Sequence, residues 1–180
     1  MGGIKRAWPW FGILAVACAG EPSDHAAQEI SRASLSARAG VEKIRHSLPL
    51  AERGFGEGVA EVEAATKLLG ALESDRRLSL GLRLQAIVSE ARAWDDAQRA
   101  ILGARLVLEP AADGTDQSLF AEDVLREKAF PSRVAAENAY QRALAFWCEH
   151  RADDASLLPE IIDGVQRYRG SAPSLDDPCP

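Results

Sequence analysis

The sequence predicts an all-α fold, with about seven amphipathic helices in antiparallel hairpins. Three observations carry that expectation. Apolar residues recur at steps of three and four along most of the chain. Ala, Leu, Glu and Arg, all good helix formers, dominate the composition, and β-branched residues are sparse. Short Pro-, Gly- and Asp-containing stretches separate the periodic segments, as antiparallel neighbours require. The one alternating run, Leu78-x-Leu80-x-Leu82-x-Leu84, lies in a segment that continues with helical spacing and reads as helix.

At 180 residues and 47% hydrophobic, the chain suits one domain with one core. That domain is expected over residues 24–169, after a tether at 19–23 and before an extended tail at 170–180 rich in Pro, Ser and Asp. Asp24 is placed to cap the first helix, whose stripe is Ile30, Ala33, Ala37, Val41, Ile44 and Leu48, with Pro49 at its end. Gly40 weakens that helix by about 1 kcal/mol relative to Ala. The second helix carries Val59, Val62, Leu69 and Leu72, with Glu63 and Lys67 paired on its wet side.

Ser74 or Asp75 is expected to cap the third helix, with Leu80, Leu84, Ile87, Val88 and Ala91 on its stripe. A break near Arg92-Ala93 would begin a fourth helix, which carries Trp94, Ala97, Ile101 and Ala104, with Asp95 and Arg99 as a surface pair. Residues 110–117 form the clearest loop, turning at Asp113-Gly114. The next hairpin spans 119–129 and 134–147, broken at Phe130-Pro131. A last helix from Asp154 or Ser156 takes Pro159 in its first turn and buries Ile161, Ile162, Val165 and Tyr168, leaving Asp163 and Arg167 to water.

One spacing recurs. Phe55, Gly58, Val62 and Ala65 stand in register with Trp94, Ala97, Ile101 and Ala104, and Ala136, Tyr140 and Ala143 with the last three. The offset, on the order of 40 residues, falls within the range of helix-pair repeats. The runs Trp94-x-x-Ala97-x-x-x-Ile101-x-x-Ala104 and Ala136-x-x-x-Tyr140-x-x-Ala143-Leu144 resemble the second helices of tetratricopeptide repeats. That resemblance implies a TPR-like α-solenoid that binds proteins; an irregular helical bundle is the other architecture the periodicity allows. On the repeat reading, Ala97 is expected at a close helix approach and Ala100 on a looser adjoining face.

Residues 1–18 read as an export signal: Lys5-Arg6, then an apolar run at 7–17 too short to span a bilayer. Its end, Leu14-Ala15-Val16-Ala17-Cys18, resembles a bacterial lipobox, which implies that Cys18 is lipidated and becomes the mature N-terminus. Ala19 rather than Asp follows, which in diderm bacteria implies the outer membrane. Ordinary cleavage near Ala17-Cys18-Ala19, releasing a secreted or periplasmic protein, is the alternative. With Cys18 lipidated, Cys148 and Cys179 remain of 3 cysteines and are the expected disulfide.

The formal net charge is −6, and removal of Lys5 and Arg6 leaves 19 bases against 27 acids, or −8. The arginines are interleaved with acids, which disfavours nucleic acid as a partner. Gly54-Phe55-Gly56-Glu57-Gly58 lacks both the preceding strand and the Lys-Ser/Thr of a phosphate loop, so it reads as a helix start with close packing at Gly58. His150 and Asp154, at i,i+4, are weak metal candidates with no third ligand nearby in sequence. No Cys-x-x-Cys-His, His-Glu-x-x-His or Gly-x-Ser-x-Gly motif is present. No cofactor and no enzymatic activity are expected. The combined reading is an exported, lipid-anchored helical-repeat protein that binds a protein or peptide partner in the bacterial cell envelope. A structural or oligomeric bundle without a groove, and a small-molecule or metal-binding enzyme, are its rivals.

Overall fold

A computed structural model describes residues 22–47, 53–107, 125–150 and 155–179. The fold is all-α, and these residues form five α-helices rather than seven: α1 (Pro22–His46), α2 (Arg53–Ser74), α3 (Leu80–Val107), α4 (Phe130–His150) and α5 (Leu158–Arg169). A π-helical turn, Leu125–Ala129, leads into α4, and a 3₁₀ turn, Ala155–Leu157, leads into α5.

Helix α1 begins with Pro22, whose fixed φ and missing N–H suit a first turn, and Asp24 lies within that turn beside the positive end of the dipole. Its expected stripe is observed: Ile30, Ala33, Ala37, Val41 and Ile44 are all buried. Leu48 and Pro49 lie outside the described residues. Helix α2 runs antiparallel to α1, and Val62, Leu69 and Leu72 face the core.

The third helix is capped by neither Ser74 nor Asp75. Ser79 Oγ accepts the Leu82 N–H at 3.3 Å, the geometry of an N-cap. Asp75 instead accepts the Arg77 N–H at 3.0 Å and holds that side chain's guanidinium, closing the turn after α2.

No break occurs at Arg92-Ala93, and α3 is one helix of 28 residues. The two stripes that suggested a hairpin are opposite faces of a single helix. Ala86, Ala93, Ala97 and Ala100 lie roughly half a turn around the axis from Leu84, Ile87, Val88 and Ala91. The first set faces α1 and α2; the second faces α4 and α5. Neither Arg92 nor Ala93 breaks a helix, so the change of phase marks a change of neighbour.

On the first side, buried positions step by seven residues: Ile30, Ala37 and Ile44 in α1, Ala86, Ala93 and Ala100 in α3, and Leu72, Ala65 and Gly58 in α2. These make layers: Ile30, Leu69, Leu72 and Ala86; then Ala37, Ala65 and Ala93; then Val41, Ile44, Val62, Ala97 and Ile101. The alanine layer lets three helices draw together. Just beyond it, Gly40 and Gly58 cross so closely that a Cβ on Gly40 would stand 2.6 Å from the Gly58 carbonyl oxygen. Gly58 therefore serves helix packing, and its Gly-rich neighbourhood is helical from Arg53.

On the second side, Leu84, Ile87 and Val88 pack with Ala143, Phe146 and Ile161, and Ala91 packs with Ala139, Tyr140 and Val165. Gly164 accommodates the Tyr140 ring, which a Cβ would meet at 2.4 Å. No break separates Phe130-Pro131 from the residues before it. An ordinary α turn would press the Pro131 ring on the carbonyl of residue 127, and the wider π turn immediately before it relieves that clash. Helix α5 takes Pro159 in its first turn and ends at Gly170, at φ 73°, whose N–H donates to the Gln166 carbonyl at 2.8 Å.

Of the positions aligned by the repeat, Phe55, Gly58, Val62, Ala65, Ala97, Ile101, Ala136, Tyr140 and Ala143 are buried, and Trp94 is half-buried. They fall in α2, in the second half of α3 and in α4, so the middle set has no first helix of its own. The architecture is an irregular bundle built around α3. Ala100 shares one cluster with Ala97 and is 4% exposed, so the looser face expected for it is absent.

Candidate functional site

The turn at Gly170 sends residues 171–179 back along α4. Cys148 in α4 and Cys179 in the tail form a disulfide with Cα atoms 5.6 Å apart, inside the usual range. Between α4, α5 and this strap lies a groove of about 680 Å³. Leu144, Ala145, Val165, Ala172 and Pro173 give it apolar walls, with Gln141, Arg169 and Ser171 as polar groups. The volume lies within the range of ligand-binding pockets. The Arg169 guanidinium pairs with Glu137 through Nε at 3.6 Å and is more than half exposed, so it borders the apolar trough as a solvent-facing, already paired cation.

A second, smaller cleft of about 230 Å³ opens where α3, α4 and α5 meet. Asp95 lies at its base and is 5% exposed, against the surface position expected of it. Its carboxylate accepts from Arg99 Nε at 3.2 Å and Nη2 at 2.8 Å, from Arg167 Nη1 at 2.5 Å and from the Tyr168 hydroxyl at 2.6 Å. Those four bonds fill the acceptor sites of an ionised carboxylate. The Tyr168 hydroxyl also lies 2.9 Å from the Gln98 amide. The atom at that distance is Gln98 Oε1, so the hydroxyl has two acceptors for one proton and the carboxylate of Asp95 is the stronger.

Burial, followed by the hydrogen bond to Asp95, pushes the Tyr168 phenol well above its ordinary range. Burial, and then the charge of Asp95, pushes Tyr140 up to about 12. The two rings stack with centroids 6.3 Å apart. Arg167 and Asp163 are both exposed, as expected, and pair with each other, while the same guanidinium also reaches buried Asp95. A sequence signal for Asp95 existed: it follows Ala91 by four residues on the stripe of Leu84, Ile87 and Ala91, which is the buried face toward α4 and α5.

Two further charged clusters tie helices together. Arg142 Nη2 lies 2.8 Å from Glu90 and 3.4 Å from Glu73, joining α4 to α3 and α2. Burial holds the Glu90 carboxyl above the usual carboxylate range despite the opposing pull of Arg142. Arg92 grips Glu160 with a two-point fork, Nε at 2.9 Å and Nη2 at 2.5 Å, joining α3 to α5.

Of the remaining sequence candidates, Cys18 lies outside the described residues, as does Asp154. His150 packs edge-on against Phe146, with ring centroids 4.5 Å apart. His25 and His46 sit at opposite ends of α1 beside Glu29 and Glu42. Among the described residues no three His, Cys, Asp or Glu side chains converge as metal ligands. No described helix is long and apolar enough to cross a membrane.

No protein-family model matches the sequence, and no solved structure matches it. The chain is 32% identical over 114 residues to the DNA polymerase III subunit tau of Escherichia coli (strain K12), an alignment covering 53% of this chain. It spans 18% of that subunit's length.

Proposed function

We propose that this is an exported, lipid-anchored helical protein of the bacterial cell envelope that holds an apolar segment of a partner protein. The observation that carries the reading is the groove of about 680 Å³ between α4, α5 and the disulfide-bonded strap. Its aliphatic walls suit side chains such as Leu or Val, and Arg169 at its end suits an acidic residue beside them. The occupant is therefore a short apolar segment with a flanking carboxylate. Export is supported by Lys5-Arg6 and the apolar run ending at Cys18, and by a disulfide, which persists in oxidising compartments. Lipid on Cys18 would fix the bundle at a membrane surface, facing the periplasm.

A photo-crosslinking residue at Ala145, an exposed position on the groove wall, tests the reading in the native envelope. The expected adduct joins position 145 to one apolar, acid-flanked segment, is lost when Pro173→Arg is added on the opposite wall, and is absent when the probe stands at exposed Lys67 on α2. Reduction of Cys148–Cys179 should weaken the adduct by loosening the strap. Equal labelling from both positions, or none from Ala145, would overturn the groove. Cys18→Ser should move the protein from the membrane to the soluble fraction, since each buried CH₂ of an acyl chain contributes about 0.8 kcal/mol.

A further inference from the structure

The cleft above Asp95 collects three guanidinium groups, Arg99 from α3, Arg133 from α4 and Arg167 from α5, with Leu102 as its apolar wall. Two carboxylates face them. Asp95 is saturated by Arg99, Arg167 and Tyr168, and Asp163 is taken by Arg167. Among the described residues no carboxylate lies within ion-pair distance of Arg133, which is exposed at the rim. Among the described residues, three cations against two anions leave this spot positive in a chain whose net charge is −6.

The donors that remain are directed. Asp95 engages Arg99 through Nε and Nη2, which leaves the Nη1 side of that guanidinium to the cleft. Anchoring at a buried carboxylate fixes the Arg99 and Arg167 heads before any ligand arrives, so little side-chain entropy remains to be lost. Planar guanidinium forks match the two oxygens of a carboxylate or phosphate group. The volume of about 230 Å³ suits one such group and is below the size of drug-sized ligand pockets.

We propose that this cleft is an oxyanion site, taking a single carboxylate or phosphate group between Arg99 and Arg133. It is a separate site from the groove under the strap and does not rest on the partner reading.

Equilibrium dialysis and isothermal titration of the whole protein with inorganic phosphate, and separately with acetate, at fixed ionic strength set with chloride, test it. Saturable one-site binding of phosphate or of acetate supports the site, and the tighter of the two identifies the source of the oxyanion. Arg133→Gln should weaken that binding at least tenfold, while Lys67→Gln, an equal loss of charge on exposed α2, should leave it within twofold. Arg133 is exposed and outside the core clusters, so its variant should keep the wild-type circular dichroism and melt. Saturable binding of neither anion, or equal loss in both variants, would overturn the proposal.

Discussion

Asp95 shows how one residue is misread when its helix has two buried faces. Its spacing from Arg99 reads as an ordinary exposed i,i+4 pair, and that pair exists. The carboxylate is nonetheless buried, because α5 brings Arg167 and Tyr168 over it. Sequence separations of 72 and 73 residues carry no local signal, so only the fold could disclose that company. The tyrosines make the burial measurable. A free phenol titrates near pH 10. Tyr140 is pushed up to about 12 and Tyr168 is raised as well, so both neutral phenols are favoured in the folded protein. Stability from this source is fully present below pH 10 and is lost as pH rises through the folded values. The chain has 2 tyrosines, so absorbance at the phenolate band reports only this pair. Little phenolate should form between about pH 10 and 11, and the rise should coincide with loss of helical circular dichroism. A normal titration near pH 10 in the folded protein would contradict the buried arrangement.

At the scale of elements, helical periodicity was legible and helix continuity was not. The stripes of α1, α2 and α5 follow their buried faces, with Val59, Ile162 and Tyr168 only half-buried at the margins, since each of those helices has one main core to face. In α3 two cores lie on opposite sides, and two phases of apolar residues imitate two helices. The repeat likewise captured burial rather than hairpins. Glycines separate packing from propensity cleanly. A Cβ at Gly40 would stand 2.6 Å from a backbone oxygen of α2, whereas one at Gly56 would meet nothing within 4 Å. Gly40→Ala should lower stability by about 1–3 kcal/mol through overpacking, against the usual helix preference for Ala. Gly56→Ala should raise it by roughly 0.5–1 kcal/mol. Chemical denaturation compares them, and a shift of the same sign in both would mean that α1 and α2 do not cross at Gly40 and Gly58.

Across the whole molecule, the disulfide and the interhelical ion pairs close what the helices leave open. The bond between Cys148 and Cys179, 31 residues apart, removes loop-closure entropy worth roughly 3–4 kcal/mol from the unfolded chain. The cysteine count alone suggested this pair, but not that its strap would wall a groove, because that depends on the left-handed turn at Gly170. Helix α3, by contrast, is held from both sides. Local opening of either core leaves its other face packed, so the amide hydrogens of residues 84–101 can meet solvent only when both cores open together. Deuterium uptake followed by mass spectrometry should find them the slowest in the protein, tracking global unfolding, while α5 exchanges through smaller openings. Comparable rates in α3 and α5 would instead describe one indivisible core. The centre of α3 is then the molecule's own gauge of its total stability, readable in the time that its backbone hydrogens take to leave.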